Sequence, residues 1–214
     1  MLRITFPVGP LACNCSIVAD ETTREALIID PGDEIDDILR RMREAGLSPR
    51  AIAITHAHID HIGGAARLKA ATGAPVALHA GDLPLYDQLD WQAEWLGVPP
   101  PPRAAIDQGL RETEPLRLGG LQFEVLETPG HTPGSICLYV PAEAHLFAGD
   151  TLFAGSVGRT DLPGGDGRQL LHSLHSKLLE LPDATQVIPG HGPETSIGRE
   201  RKSNPFLNGK VRLI

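Results

Sequence analysis

Residues 55–61 read Thr55-His56-Ala57-His58-Ile59-Asp60-His61, which places four metal-ligand side chains within six positions. Neutral imidazole nitrogen and carboxylate oxygen are donors that suit zinc, iron and manganese. The segment follows an apolar run, Ala51-Ile52-Ala53-Ile54, that reads as a buried strand. It precedes Gly63-Gly64-Ala65-Ala66-Arg67-Leu68-Lys69, which reads as the start of a helix reaching about Thr72. Ligands at the C-terminal end of a strand, ahead of a helix, occupy the place where α/β sheets put their sites. A solvated, histidine-rich loop is the plain alternative. Ligand-type residues recurring downstream in matching contexts weigh against it.

Composition narrows the function classes. The 214 residues suit one larger domain or two small ones, and 41% are apolar, enough for a sizeable core. Aromatics are only 4%, so that core must be built mainly from Leu, Ile, Val and Ala. The net charge of −8 disfavours nucleic acid and anionic membranes as partners. No stretch approaches the roughly 20 apolar residues of a membrane span. The opening Met1-Leu2-Arg3-Ile4-Thr5-Phe6 alternates like a strand rather than a signal peptide, which predicts a cytoplasmic protein. An odd count of three cysteines argues against a disulfide framework. Cys13 and Cys15, two apart on an extended segment, face one side and read as buried small hydrophobes rather than a redox or metal pair. Cys137 lies in a strand-like run and reads as core.

Strand and helix signals then alternate along the chain. Strands broken by turns lead to Ala26–Ile29 and the turn Asp30-Pro31-Gly32. Ile35, Ile38, Leu39 and Met42 have the spacing of an amphipathic helix that Gly46 would stop. A short strand near Val76–Leu78 precedes a helical stretch from about Ala80 to Leu96, on which Trp91 and Trp95 are placed to pack together. Pro99–Pro102 must be an extended surface loop, either a substrate-facing lid or a connector. A hairpin turns at Gly119-Gly120, strands follow near 135–140 and 145–149, a helix over 168–181, and a short strand at 186–188. Strands then helices, twice over, fit two βα halves stacked as a four-layer αββα sandwich within a single domain spanning 1–214.

Three further candidate ligands share one setting. His131 follows the strand Phe123–Leu126 in Pro129-Gly130-His131-Thr132. Asp150 ends Leu146-Phe147-Ala148-Gly149-Asp150. His191 sits in Val187-Ile188-Pro189-Gly190-His191. Five histidines and two aspartates exceed the needs of one tetrahedral ion and suit two ions sharing a carboxylate and a solvent oxygen. Asp150 is the natural bridge, because a carboxylate offers two oxygens where an imidazole offers one lone pair. His79 reads as structural. His145, His172 and His175 read as surface or partly buried residues.

These motifs resemble the metallo-β-lactamase-fold hydrolases, and within them the hydroxyacylglutathione hydrolase (glyoxalase II) branch. His56-x-His58-x-Asp60-His61, Pro129-Gly130-His131-Thr132-x-Gly134-Ser135, Gly149-Asp150 and Pro189-Gly190-His191 occur in the family's order. The resemblance implies that His56, His58 and His131 hold one metal, that Asp60, His61 and His191 hold the other, and that Asp150 bridges. Zinc is the first expectation, with iron or manganese also compatible. The implied reaction is hydrolysis of an S-(2-hydroxyacyl)glutathione or similar acyl-thiol by a metal-bridging hydroxide. Asp60 and Asp150 are then the catalytic carboxylates. Arg159, in Gly158-Arg159-Thr160-Asp161, stands where that family contacts its anionic thiol; a salt bridge to Asp161 is its structural alternative. Lys202 is a second candidate contact, beside Asn204-Pro205-Phe206, which resembles another segment of the branch. The sequence ends at Ile214 ahead of the branch's helical domain, and His191-Gly192-Pro193 lacks its tyrosine. The thioester chemistry is therefore a firmer expectation than the thiol.

Two enzyme classes compete. A persulfide dioxygenase of the same superfamily uses one iron and shares the Gly-Arg-Thr-Asp segment. A ribonuclease-type nuclease of the same fold is opposed by the net charge of −8. A non-enzymatic metal-binding scaffold is opposed by a ligand set that leaves a position open for water, since structural sites are closed.

Overall fold

The computed structural model describes residues 1–211. It divides into two compact units, Met1–Leu110 with Arg117–Leu121, and Arg111–Leu116 with Gln122 onward.

The first unit is built on a sheet in the order β1-β2-β3-β4-β5-β6. These strands are β1 (Leu2–Val8), β2 (Cys13–Ala19), β3 (Glu25–Ile29), β4 (Ser48–Ala53), β5 (Val76–Leu78) and β6 (Gln108–Gly109). Strands β1 to β3 pair antiparallel, whereas β3 to β6 run parallel. Among the parallel strands, β3 and β5 are largely apolar runs and β4 ends in one, as strands covered on both faces must be. Ile28, Ile52 and Val76 are fully buried. Each such side chain contributes roughly 1.5–3 kcal/mol of transfer free energy. Helix α1 (Ile35–Glu44) buries Ile35, Ile38 and Met42, the stripe its spacing predicts, and Gly46 follows at a φ of 62°. Cys13, Cys15 and Cys137 are buried thiols, as expected of small core residues.

The helix expected to run to Thr72 is broken into α2 (Ile59–Ile62) and α3 (Ala65–Thr72). The reason is the glycine pair between them. A Cβ on Gly64 would stand 2.3 Å from the carbonyl oxygen of Pro31, so the β3–α1 loop lies directly against this break. The stretch from Ala80 is likewise divided, into a 3-10 turn, α4 (Leu83–Tyr86) and α5 (Leu89–Leu96). His79 is structural: its Nδ1 accepts the Gly81 N–H at 3.1 Å. Trp91 and Trp95, expected to pack, are 46% and 59% exposed.

The second sheet runs β14-β13-β10-β9-β8-β7. Its strands are β7 (Leu116–Leu118), β8 (Leu121–Glu127), β9 (Ile136–Val140), β10 (His145–Gly149), β13 (Gln186–Pro189) and β14 (Thr195–Ser196). A two-stranded ribbon, β11 (Leu152–Phe153) with β12 (Ser156–Val157), interrupts it. The helix expected over 168–181 is α6 (Gly167–Ser176) followed by a 3-10 turn, and it buries Leu170 and Leu174. Helix α7 (Ile197–Ser203) has too short an apolar pattern to be read from sequence. Its Glu200 is fully buried, accepting hydrogen bonds from Gly155 N, Thr195 Oγ1 and Asn204 Nδ2. Asn204 also donates to Ser156 O at 3.0 Å. The Asn204-Pro205-Phe206 segment thus anchors the β11–β12 ribbon.

Candidate metal centre

In the first unit the ligand run leaves the end of β4 and turns into α2. Asp30, at the end of β3, organises it. Asp30 is 2% exposed and holds a φ of 51°, a conformation that aspartate tolerates better than most residues. Its Oδ1 accepts the Thr55 N–H at 2.8 Å, and its Oδ2 accepts the Thr55 hydroxyl at 2.7 Å. The same Oδ2 lies 2.9 Å from His61 Nδ1. That geometry assigns the tautomers. His61 Nδ1 donates to Asp30, which leaves Nε2 as the lone-pair nitrogen, 3.7 Å from Asp60 Oδ2. Thr55 has given its proton to Asp30, so its oxygen accepts from His56 Nδ1 at 3.1 Å. His56 Nε2 is then also a lone-pair nitrogen, and it lies 3.0 Å from His58 Nδ1. Two nitrogens bound at 2.0–2.1 Å to one tetrahedral ion stand about 3.3 Å apart. The two rings meet edge-on at an interplanar angle of 85°, and their spacing is close to the one a shared cation would impose.

The backbone of the run is held as firmly as its side chains. Ala57 N donates to the buried Asp82 at 2.8 Å. Ile59 N donates to Gln92 Oε1 at 2.9 Å, and Gln92 Nε2 donates to Ala57 O and Leu85 O. A Cβ on Gly32 would fall 1.6 Å from Asp60 O, so only glycine lets the two loops touch there.

In the second unit three strand ends supply one ligand each. His131 follows β8, and its Nδ1 donates to Arg159 O at 2.7 Å. Its Nε2, again the lone-pair nitrogen, lies 3.6 Å from Asp150 Oδ2. His191 Nε2 is 3.8 Å from that same oxygen. Thr128 and Thr151 join the first two loops by a 3.0 Å hydroxyl contact, and Gly190 N donates to Gly149 O at 2.7 Å to join the third. A Cβ on Gly158 would lie 1.9 Å from Asp150 O and 3.2 Å from His131 Cβ.

Three of the five expected histidine ligands thus have Nδ1 donating to a carboxylate, hydroxyl or carbonyl, the arrangement that fixes metal-binding imidazoles. Within each unit the expected ligands bring imidazole and carboxylate donors near one another, and that donor chemistry fits a divalent cation. Cys13 Sγ approaches His61 Nδ1 at 3.5 Å, but burial pushes this thiol up to about 12, so it remains protonated at neutral pH.

The expected substrate contacts differ from the ligands. Arg159 turns its guanidinium onto Asp161 in a two-bond pair of 2.7 and 2.8 Å, both residues being exposed. Its hydrogen bonds hold the Asp161 carboxyl down at about 2. Lys202 is exposed on α7. Asp30, Thr55, Asp82 and Gln92 are the residues that sequence reasoning missed. Asp30 carried a signal, a carboxylate ending an apolar strand, that reads equally well as the Asp-Pro-Gly turn it also makes.

A family model described as the metallo-beta-lactamase superfamily matches residues 8–191. Among curated relatives, the hydroxyacylglutathione hydrolase GloC of Haemophilus influenzae is 41% identical, covering 96% of this chain and 97% of its own. A solved structure of BLEG-1, a B3 metallo-beta-lactamase, is 38% identical with a TM-score of 0.88, covering 97% of this chain and 100% of its own. TTHA1623 in a di-iron-bound form is 47% identical with a TM-score of 0.86, covering 95% and 100%. ETHE1 from Myxococcus xanthus is 31% identical with a TM-score of 0.83, covering 99% and 87%.

Proposed function

The chain belongs to the metallo-β-lactamase superfamily, and from that premise we propose that it is a binuclear metal-dependent hydrolase of thioesters, acting on an S-(2-hydroxyacyl)glutathione or a similar acyl-thiol. The observation that supports this reading is the outward hydrogen bonding of Nδ1 on His56, His61 and His131, which leaves their Nε2 lone pairs available to a cation. Likeness to GloC over 96% of the chain supports the thioester class. In this reading His56, His58 and His131 hold one ion, Asp60, His61 and His191 hold the other, and Asp150 is shared. Zinc is the first candidate; the di-iron form of TTHA1623 gives iron equal standing.

Bound there, divalent ions supply a solvent nucleophile at neutral pH and positive charge for the developing oxyanion. The chain's own residues do the rest. Asp30 keeps His61 in one tautomer and orients its ring. Asp60 is placed to orient the attacking solvent and accept its proton. The thiolate product is a stable anion, so no general acid is required. Arg159 contributes a positive charge only when Asp161 releases it.

The likeness to ETHE1 fits the alternative reading, a mononuclear-iron persulfide dioxygenase. One assay separates them. Hydrolysis of S-lactoylglutathione that EDTA abolishes and added metal restores supports the hydrolase. Oxygen uptake with glutathione persulfide, without thioester turnover, replaces it with the dioxygenase.

A further inference from the structure

The first unit contains a cavity of about 500 Å³ that reaches Asp60. Its walls are Leu11 from the β1–β2 turn, Leu96 and Val98 from the end of α5, and the four prolines Pro99–Pro102. At about 30 Å³ per water, this space equals roughly sixteen water molecules. A 2-hydroxypropanoyl group, with about five heavy atoms, would leave most of it unfilled.

The wall has two chemical properties that define its occupant. Proline has no N–H, so a four-proline run presents rings and carbonyl oxygens but no backbone donors. Such a stretch offers a carboxylate no backbone donor. The one side-chain cation in the lining, Arg67, is paired with Asp33 at 2.6 Å, which offsets its charge. Glutathione carries carboxylates and is the wrong shape of charge for this cavity.

The wall is also fixed at both ends. Gly97, at a φ of 68°, closes α5, and Val98 N donates to Ala93 O at 3.0 Å. Beyond the prolines, Ala104 N donates to Tyr86 Oη at 2.7 Å while that hydroxyl donates to Ala104 O at 2.9 Å. Arg103 is tied to Asp87 O and Asp90. A run locked in φ by its rings and pinned on either side is a preorganised surface, and little ordering cost remains when a ligand covers it.

We propose that this cavity is the acyl subsite, and that its apolar wall selects an uncharged aliphatic acyl chain over a 2-hydroxyacyl group. The proposal rests on the thioester-hydrolase reading and refines its substrate class. The scissile carbonyl lies at Asp60, the chain extends along the prolines, and the anionic thiol stays outside the cavity.

The test is kcat/KM on the metal-loaded full-length protein with S-acetyl-, S-butyryl-, S-hexanoyl- and S-lactoylglutathione. Burying each methylene predicts a rise of about fourfold, so hexanoyl exceeds acetyl by roughly 200-fold. Val98→Asp, which puts a charge in the cavity, should reduce the rise to less than twofold per methylene. A flat or falling series alongside good lactoyl turnover overturns the acyl subsite and leaves the hydrolase standing. A rise that appears only when methylenes are added to the thiol arm of acetyl thioesters also overturns it. No turnover of any thioester overturns the hydrolase reading instead. In that case calorimetric Kd values for the acetyl and hexanoyl thioesters decide: tenfold or more tighter binding of hexanoyl supports the cavity's assignment, and equal values reject it.

Discussion

The two units present their candidate ligands by opposite means. The first unit places four ligands in one run, His56 to His61, at the end of a single strand. The second draws His131, Asp150 and His191 from the ends of β8, β10 and β13, across some sixty residues of chain. A contiguous run needs little help to bring its ligands together, but its crowded backbone must be held open. Here Asp30, Asp82 and Gln92 hold it through buried hydrogen bonds. A dispersed set needs its strand ends drawn together. Close glycine contacts and the Thr128–Thr151 bond do that. Both halves rely on a close glycine contact; the first adds buried Asp and Gln side chains that hold its backbone, and the second adds only a neutral hydroxyl pair.

The sharpest way to break this comparison is a matched pair of glycine substitutions. Gly32→Ala would set a methyl 1.6 Å from Asp60 O, and Gly158→Ala would set one 1.9 Å from Asp150 O. Backbone on both sides leaves nothing flexible to yield, so each should cost about 3 kcal/mol or more by thermal or denaturant unfolding. Losses below 1 kcal/mol would show that the loops are slack.

Next in size is Asp30→Asn. An amide cannot accept from Thr55 N, Thr55 Oγ1 and His61 Nδ1 as a carboxylate does. Metal affinity should fall about 10- to 100-fold, measured by competition with a chelator. Thr128→Val removes only a neutral hydroxyl contact and should cost about 1 kcal/mol of stability. A larger effect on metal affinity from Thr128 than from Asp30 would reverse the division between the two halves.

Gln92→Leu tests the backbone support of the run. It strands Ile59 N and Ala57 O in a buried setting, with an expected loss of about 1–3 kcal/mol. Replacing Gln92 with Glu keeps the acceptor and should retain more of the stability.

The smallest effect belongs to Arg159. Its partner Asp161 is held at about 2, below the ordinary carboxylate value near 3.9. A depressed folded value means the pair stabilises the folded state above the unfolded value and loses that contribution as pH falls through about 2. The pair is therefore intact from pH 5 to 9 and adds no pH dependence to KM there. Asp161→Asn should release Arg159 and lower KM for an anionic thioester a few-fold, with kcat little changed. An unchanged KM would remove Arg159 from substrate binding.

Much of this molecule was legible in its sequence because the decisive signals were short-range. The run at 55–61, the buried strands and the Gly-flanked ligands are all written within a few residues of one another. The breaks were legible only in part. Gly63-Gly64 looked like a helix start, and the reason it divides α2 from α3 is a carbonyl at Pro31, some thirty residues away. Asp30 was hidden for the same reason: its partners Thr55 and His61 are 25 and 31 residues along the chain. Helix α7 and the β11–β12 ribbon are too short to carry periodicity, and they are held by the buried Glu200, whose role no local pattern shows. The pairing of Arg159 with Asp161 was visible as an alternative, and charge proximity over two residues decided it.

The central claim, two ions held by seven side chains, is tested most directly by counting metal per chain. Elemental analysis of the purified protein should give about two ions, falling to about one in His58→Ala and, separately, in His191→Ala. One ion per chain in the unaltered protein, unaffected by His191→Ala, would contradict the account.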